Sequence, residues 1–102
     1  MKQVERNILE MTDADELNHI GLQYANSGNF IVAMKAWLRA AELGDKQCRP
    51  RIASIFLSKC WSIGNGDYSK AAKLIKQWRE EGDKEVIKAL ELQIKLRSVL
   101  IQ

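Results

Sequence analysis

Few side chains in this 102-residue sequence stand at spacings that support chemistry. The single histidine, His19, lies between Leu17 and Ile20 in a helical pattern, where a surface or hydrogen-bonded imidazole is expected and not a catalytic base. Cys48 and Cys60, placed on one helix, lie about 18 Å apart along its axis at roughly 1.5 Å per residue, beyond disulfide reach. Two buried thiols in a reducing compartment are the expectation. Asp13, Asp15 and Glu16 could gather around a cation, but they stand at a helix start, where the dipole favours acidic residues. Ile63-Gly64-Asn65-Gly66-Asp67 lacks the lysine and the preceding strand of a phosphate loop, and a turn explains it. No spacing of Cys, His, Asp and Glu resembles a metal site. These residues predict a protein that is not an enzyme and carries no metal or cofactor.

Charge offers binding chemistry instead. The net value of +3 conceals an acidic first part, with four Lys/Arg against seven Asp/Glu in residues 1–45, and a basic second part, with twelve against six in 46–102. Lys70, Lys73 and Lys76 fall along one edge of a predicted helix, with Arg49, Arg51 and Lys59 on the helix before it, so a basic surface could attract nucleic acid or an acidic protein. Outward lysines are ordinarily solvated, and Glu80, Glu81, Glu85 and Glu91 dilute the field. A nucleic-acid binder also wants exposed aromatics among its cations. Trp37 and Trp78 stand at core positions, and only Trp61 has no assigned orientation.

The elements that must hold these residues are helical. Spacings of three and four dominate, 46% of residues are hydrophobic, and there is one proline, which together predict one all-α domain. A short N-terminal helix, about Gln3 to Met11 within residues 1–12, presents Val4, Ile8 and Met11. Asp13 caps the next helix, with Glu16 as its box partner. Asn26 to Asn29 form a turn between two antiparallel helices that end near Asp45. A fourth helix, about Gln47 to Ile63, tolerates Pro50 in its first turn. A fifth runs from Tyr68 to Glu81, with Ala71, Ala72, Leu74, Ile75 and Trp78 inward. The last helix occupies residues 84–102 and has two apolar sides: Ile87, Leu90, Ile94 and Ile101, and then Leu92, Leu96, Val99 and Leu100 with Ala89. The second side predicts self-association, coverage by a partner protein, or burial between the hairpins. No apolar run approaches the ~20 residues that cross a bilayer, and Glu5 and Glu10 interrupt any leader, so a cytoplasmic protein is expected.

Leu17, Ile20, Gly21, Tyr24, Gly28, Phe30, Ala33, Trp37, Ala40, Ala41 and Gly44 stand at the spacings of a helix–turn–helix repeat. The pattern resembles the tetratricopeptide repeat, and its closing Trp37, Ala40, Ala41, Glu42, Gly44 and Asp45 resemble the Sel-one-like variant. Shifting the sequence by 38 superimposes Gly28 on Gly66, Asn29 on Asp67, Phe30 on Tyr68, Ala33 on Ala71, Gly44 on Gly82 and Asp45 on Asp83. That register puts Lys59 and Ser62 opposite Gly21 and Tyr24, so residues 46–83 form a degenerate second repeat after the first at 13–45.

The resemblance implies two antiparallel hairpins in a right-handed α-α superhelix, flanked by the terminal helices. It further implies a non-catalytic protein-interaction module, an adaptor, inhibitor or chaperone-like subunit, that holds a peptide or helix in a concave groove. By the same resemblance the groove-facing residues are Asp15, Asn18, Leu22, Ala25 and Asn26, then Arg51, Ser54, Ile55, Ser58 and Ser62. Leu22 stands where the carboxylate-clamping members need an asparagine, so capture of a C-terminal carboxylate is not expected. The alternatives are a nucleic-acid-associated factor and a subunit that self-assembles, as a homodimer, through the last helix.

Overall fold

Each long helix among the described residues begins behind a small turn, and four of these turns share one device. Asp13 Oδ1 accepts the Glu16 N–H at 3.3 Å, Asn29 Oδ1 that of Val32 at 3.2 Å, Asp45 Oδ2 that of Cys48 at 3.1 Å, and Asp83 Oδ1 that of Val86 at 3.2 Å. The side chain three residues upstream thus satisfies an amide that the helix itself leaves unpaired. Three of the four follow a glycine with positive φ: Gly28 at 83°, Gly44 at 94° and Gly82 at 80°. At each, the next residue donates its N–H back to the preceding helix, from Asn29 to Tyr24, Asp45 to Ala40 and Asp83 to Trp78, at 2.8 to 3.1 Å. This is a Schellman closure, which only glycine enters without a Cβ clash.

The computed structural model describes residues 7–59 and 63–101, the last two by backbone alone. All secondary structure among them is helical: a segment over 7–10, then α1 (Ala14–Asn26), α2 (Phe30–Glu42), α3 (Arg49–Ser58), α4 (Asn65–Glu80) and α5 (Lys84–Ile101). No helix among them is long and apolar enough to cross a membrane. Ile8 is buried and the Arg39 Nε donates to the Met11 carbonyl at 3.0 Å, so the end of the N-terminal helix packs on α2. Val4, Cys60, Trp61 and Ser62 lie outside the described residues, as does the side chain of Leu100.

The core runs through α2, whose Val32, Ala33, Met34, Ala36 and Ala40 are fully buried, and continues through Trp37, Ile52, Ala53, Ala71, Trp78 and Val86. Small residues let α1 and α2 approach closely. A Cβ on Gly21 would stand 2.5 Å from Trp37 Cδ1 and 2.7 Å from its Cε2. Among the described helices these two share the most extensive contact, as expected of the first hairpin.

The second half departs from the expected register. Helix α3 stops at Ser58, and α4 begins at Asn65, so Asn65, Gly66 and Asp67 form its first turn instead of a loop. Gly66 is therefore helical and Gly28 is a left-handed turn residue. Of the six coincidences at a shift of 38, Ala33/Ala71, Gly44/Gly82 and Asp45/Asp83 occupy like environments. The first helices align from their capping aspartates instead: counting from Asp13 and Asp45, Gly21 corresponds to Ala53 and Tyr24 to Phe56, not to Lys59 and Ser62. Ala53 is fully buried, as a close helix contact requires, and Phe56 stacks on Tyr68 of α4 with ring centroids 4.6 Å apart. The shift differs between the two helices because the residues between Ser58 and Asn65 lengthen the connection.

Helix α3 packs chiefly on α5 and less on α2 and α4. A recess of about 260 Å³, lined by Phe56, Leu57, Ile75, Arg79, Ile87, Leu90, Glu91 and Ile94, lies where the three helices meet. Arg49 joins their other ends. Its Nη1 donates to Asp83 at 3.1 Å and to Glu81 at 3.4 Å, while the guanidinium lies 4.9 Å from the centre of the Trp78 ring. A stacked, doubly paired arginine at one point fixes the start of α3 to the end of α4 and the start of α5.

Candidate functional site

Trp37 lies at the meeting of α1, α2 and α3, and the local sequence explains its position. Gly21 offers no side chain, so the indole edge rests on the α1 backbone. The other part of the ring lines a recess of about 240 Å³ walled by Pro50, Arg51, Ser54 and Ile55 of α3. Pro50 lies in the first turn of α3, where a missing N–H costs nothing, and turns its ring into this wall. Helices α1 and α3 scarcely touch.

Three of the expected groove residues, Arg51, Ser54 and Ile55, therefore share one recess. Asp15, Leu22 and Asn26 are exposed on α1, and Leu22 keeps 41% of its surface in solvent. Ala25 packs partly on the core. Ser58 bonds its own helix, donating from Oγ to the Ser54 carbonyl at 2.7 Å.

Asn18 needs correction as a residue free to bind a ligand backbone. It is buried, with 7% exposure, and its Nδ2 donates to Asp45 Oδ2 at 2.9 Å. The same carboxylate oxygen holds the Cys48 N–H, so Asn18 ties α1 to the entrance of α3. A carboxylate only accepts, which fixes the amide orientation and leaves Asn18 Oδ1 without a donor. Trp37 Nε1 is likewise buried without an acceptor among the described residues.

The charges around this knot shift its acids. Burial raises the Asp45 carboxyl, but hydrogen bonds from Asn18 and Cys48 outweigh it and hold the group below its ordinary value. Asp83 behaves alike: burial raises it, and the Val86 N–H with the Arg49 bond and charge bring it below the usual range. Cys48 is fully buried, with Sγ 3.3 Å from the Trp37 carbonyl. Burial, together with the hydrogen bond and charge of Asp45, pushes its thiol up to about 12. At neutral pH it is a protonated, unreactive core residue. In a Cys60→Ser chain, where Cys48 is the only thiol, alkylation should be at least about a hundredfold slower folded than in urea. Rapid labelling of the folded protein would contradict this packing.

The basic residues do not form one free patch. Lys70 Nζ pairs with Glu42 at 3.2 Å, Arg49 is turned inward, and Lys59 lies over the Phe30 ring at 5.8 Å. Lys73, Lys76 and Arg51 are exposed. Lys35 of α2 pairs with Asp67 of α4 at 2.9 Å, so Asp67, read from sequence as a turn residue, joins two helices.

On the last helix the two apolar sides diverge. Val86 is buried and Ile87, Ala89 and Leu90 are partly buried, whereas Leu92, Ile94, Leu96 and Val99 are 54%, 57%, 48% and 66% exposed. Burial between the hairpins therefore applies to the first half of the helix only. Arg97 Nη2 caps the end of α3 by donating to the Leu57 carbonyl at 2.6 Å. The Trp37 recess is missing from the sequence reading because Pro50, which helps wall it, registers only as a helix-start residue. Among the described residues no cluster of His, Cys, Asp and Glu could hold a metal ion. No known family model, curated protein or solved structure matches this chain.

Proposed function

We propose that this chain is a tetratricopeptide-like or Sel-one-like helical-repeat module that recognises another protein, holding an extended peptide or helix between α1 and α3. The observation that carries this reading is the open recess floored by Trp37 and walled by Pro50, Arg51, Ser54 and Ile55. A mostly apolar recess over an aromatic ring, with an arginine and a serine beside it, is the usual make-up of a site that anchors one side chain of a bound segment. Leu22 of α1, 41% exposed, is available as a second apolar contact. The repeated cap and Schellman closure before α2, α3 and α5 support the repeat reading, since stacked helical repeats reuse one turn to set one angle.

Affinity capture from the native host's lysate tests the module, with Leu22→Asp/Arg51→Glu as the control. Both positions are exposed, so the variant should keep its fold. A single stoichiometric protein, lost or weakened at least about tenfold in the variant, supports the groove. Equal capture by the variant sinks it. Recovery of mainly nuclease-sensitive material points to the exposed lysines of α4 instead.

A further inference from the structure

On α5, Ala89, Leu92, Leu96 and Val99 recur at intervals of three and four, the spacing of an interhelical seam. The last three keep about half or more of their surface in solvent, 54%, 48% and 66%, while the flank bearing Val86 and Leu90 packs on the rest of the chain. The capping aspartates place this seam relative to the other helices. Counted from Asp13, Asp45 and Asp83, position nine is Leu22, Ser54 and Leu92, and position thirteen is Asn26, Ser58 and Leu96. Ser54 lines the Trp37 recess, and by this count Leu92 takes on α5 the position that Ser54 takes on α3, and Leu96 that of Ser58. Lys84, Lys88 and Lys95 border the seam with Glu91 among them, so this edge stays net positive, and Lys88 and Lys95 are exposed with no ion pair among the described residues.

We propose that this seam is the third wall of the same groove and that its occupant is an acidic amphipathic helix from another protein. Charge selects this occupant. A second copy docked antiparallel brings Lys88 of each chain to Lys95 of the other, and docked parallel it sets Lys88 against Gln93 and Lys95 against Leu100, so neither pairing gives these lysines an ion pair. A helix with Leu at its seam and Glu beside it buries the leucines and pairs both lysines. This inference rests on the groove reading above.

The probe is a synthetic amphipathic peptide with Leu at seam positions and Glu flanking them, compared with its Lys-flanked counterpart, titrated against the full chain by fluorescence anisotropy. The Glu peptide should bind at least about tenfold more tightly than the Lys peptide. Leu92→Glu/Leu96→Glu should weaken it by roughly tenfold or more, and Lys88→Glu/Lys95→Glu should reverse the preference between the two peptides. All four positions are exposed, and circular dichroism of each variant checks the fold. Equal binding of both peptides, or no reversal, overturns the proposal, as does a dimer that Leu92→Glu/Leu96→Glu converts to monomer. Binding that is lost in Leu22→Asp/Arg51→Glu but indifferent to the α5 variants removes the α5 wall and leaves the groove. Binding that responds to α5 alone keeps the acidic-helix seat and removes its continuity with the groove. If neither peptide binds, the acidic-helix proposal falls, and the groove reading stands or falls on the lysate capture.

Discussion

Gly21→Ala is expected to destabilise the protein by about 2–3 kcal/mol, within the overpacking range of a tight core. For a domain of this size that lowers Tm by roughly 10–20 °C. In an exposed helix interior the same change would stabilise by ~1 kcal/mol, because alanine is the better helix former. The sign therefore reports the contact. The new Cβ would stand 2.5 Å from Trp37 Cδ1 and 2.7 Å from Cε2, so the 2% exposed indole must shift toward the recess by Pro50 and Ile55 or part α1 from α2. Trp37→Leu in the same chain should remove most of the penalty of Gly21→Ala, though it costs stability itself through the cavity it leaves. Thermal melts of the four chains in this cycle measure the coupling. A neutral or stabilising Gly21→Ala would mean that the first hairpin packs differently.

Asp45→Ala is the second large effect, expected at about 2–4 kcal/mol. Loss of the cap on Cys48 accounts for ~1 kcal/mol, and the remainder comes from stranding a buried amide, roughly 1–3 kcal/mol. Asn18 already has an unpartnered Oδ1, so removing Asp45 leaves its whole side-chain amide buried and unpaired. Asn18→Ala removes the buried amide itself and leaves Asp45 its bond from the Cys48 N–H, so it should cost less than Asp45→Ala, a ranking that urea melts decide. Asp45 also sets a pH dependence. Its folded pKa, like that of Asp83, lies below the unfolded value, so its stabilisation is complete above the ordinary carboxylate range. It is lost as pH falls below about 4 and through the folded pKa. Urea midpoints measured down this range should fall for the wild-type chain and fall less steeply for Asp45→Ala. Parallel slopes would show that Asp45 gains nothing from its two donors.

Helix identity was legible in the sequence wherever punctuation and periodicity agreed. Gly28, Gly44 and Gly82 with the polar residue after each mark three chain reversals, because a left-handed closure needs glycine and the next helix needs a short acceptor. Gly21 with Trp37 and Ala40 marked the close hairpin. The second hairpin was legible only in part. A shift of 38 aligns α2 with α4 through buried Ala33 and Ala71, but α1 and α3 align from their caps, a distinction that one constant shift cannot carry. Gly64 to Asp67 misled for the same reason: glycine and aspartate suit a helix start as well as a turn.

Of the groove residues implied by the repeat resemblance, Arg51, Ser54 and Ile55 come together in one recess in the structure. Asn18 was misread because helical spacing tells which side a residue faces and not whether another segment covers it. The entrance of α3 covers Asn18 through Asp45, a contact across 27 residues. The same applies to Arg49 and Lys70, which composition counts as free cations and long-range partners neutralise.

What the sequence by itself determined is local: an all-helical chain, its chain reversals, the stripe each helix turns inward, and a last helix with more apolar surface than one partner covers. Those follow from backbone sterics and from amides that must be capped within three or four residues. Only the tertiary structure decided which helices meet, that α3 leans on α5 more than on α4, that Trp37 floors an open recess, and that Asn18 and Arg49 serve the fold. Such choices depend on contacts between residues about thirty apart, where several pairings satisfy the same periodicity and packing selects among them.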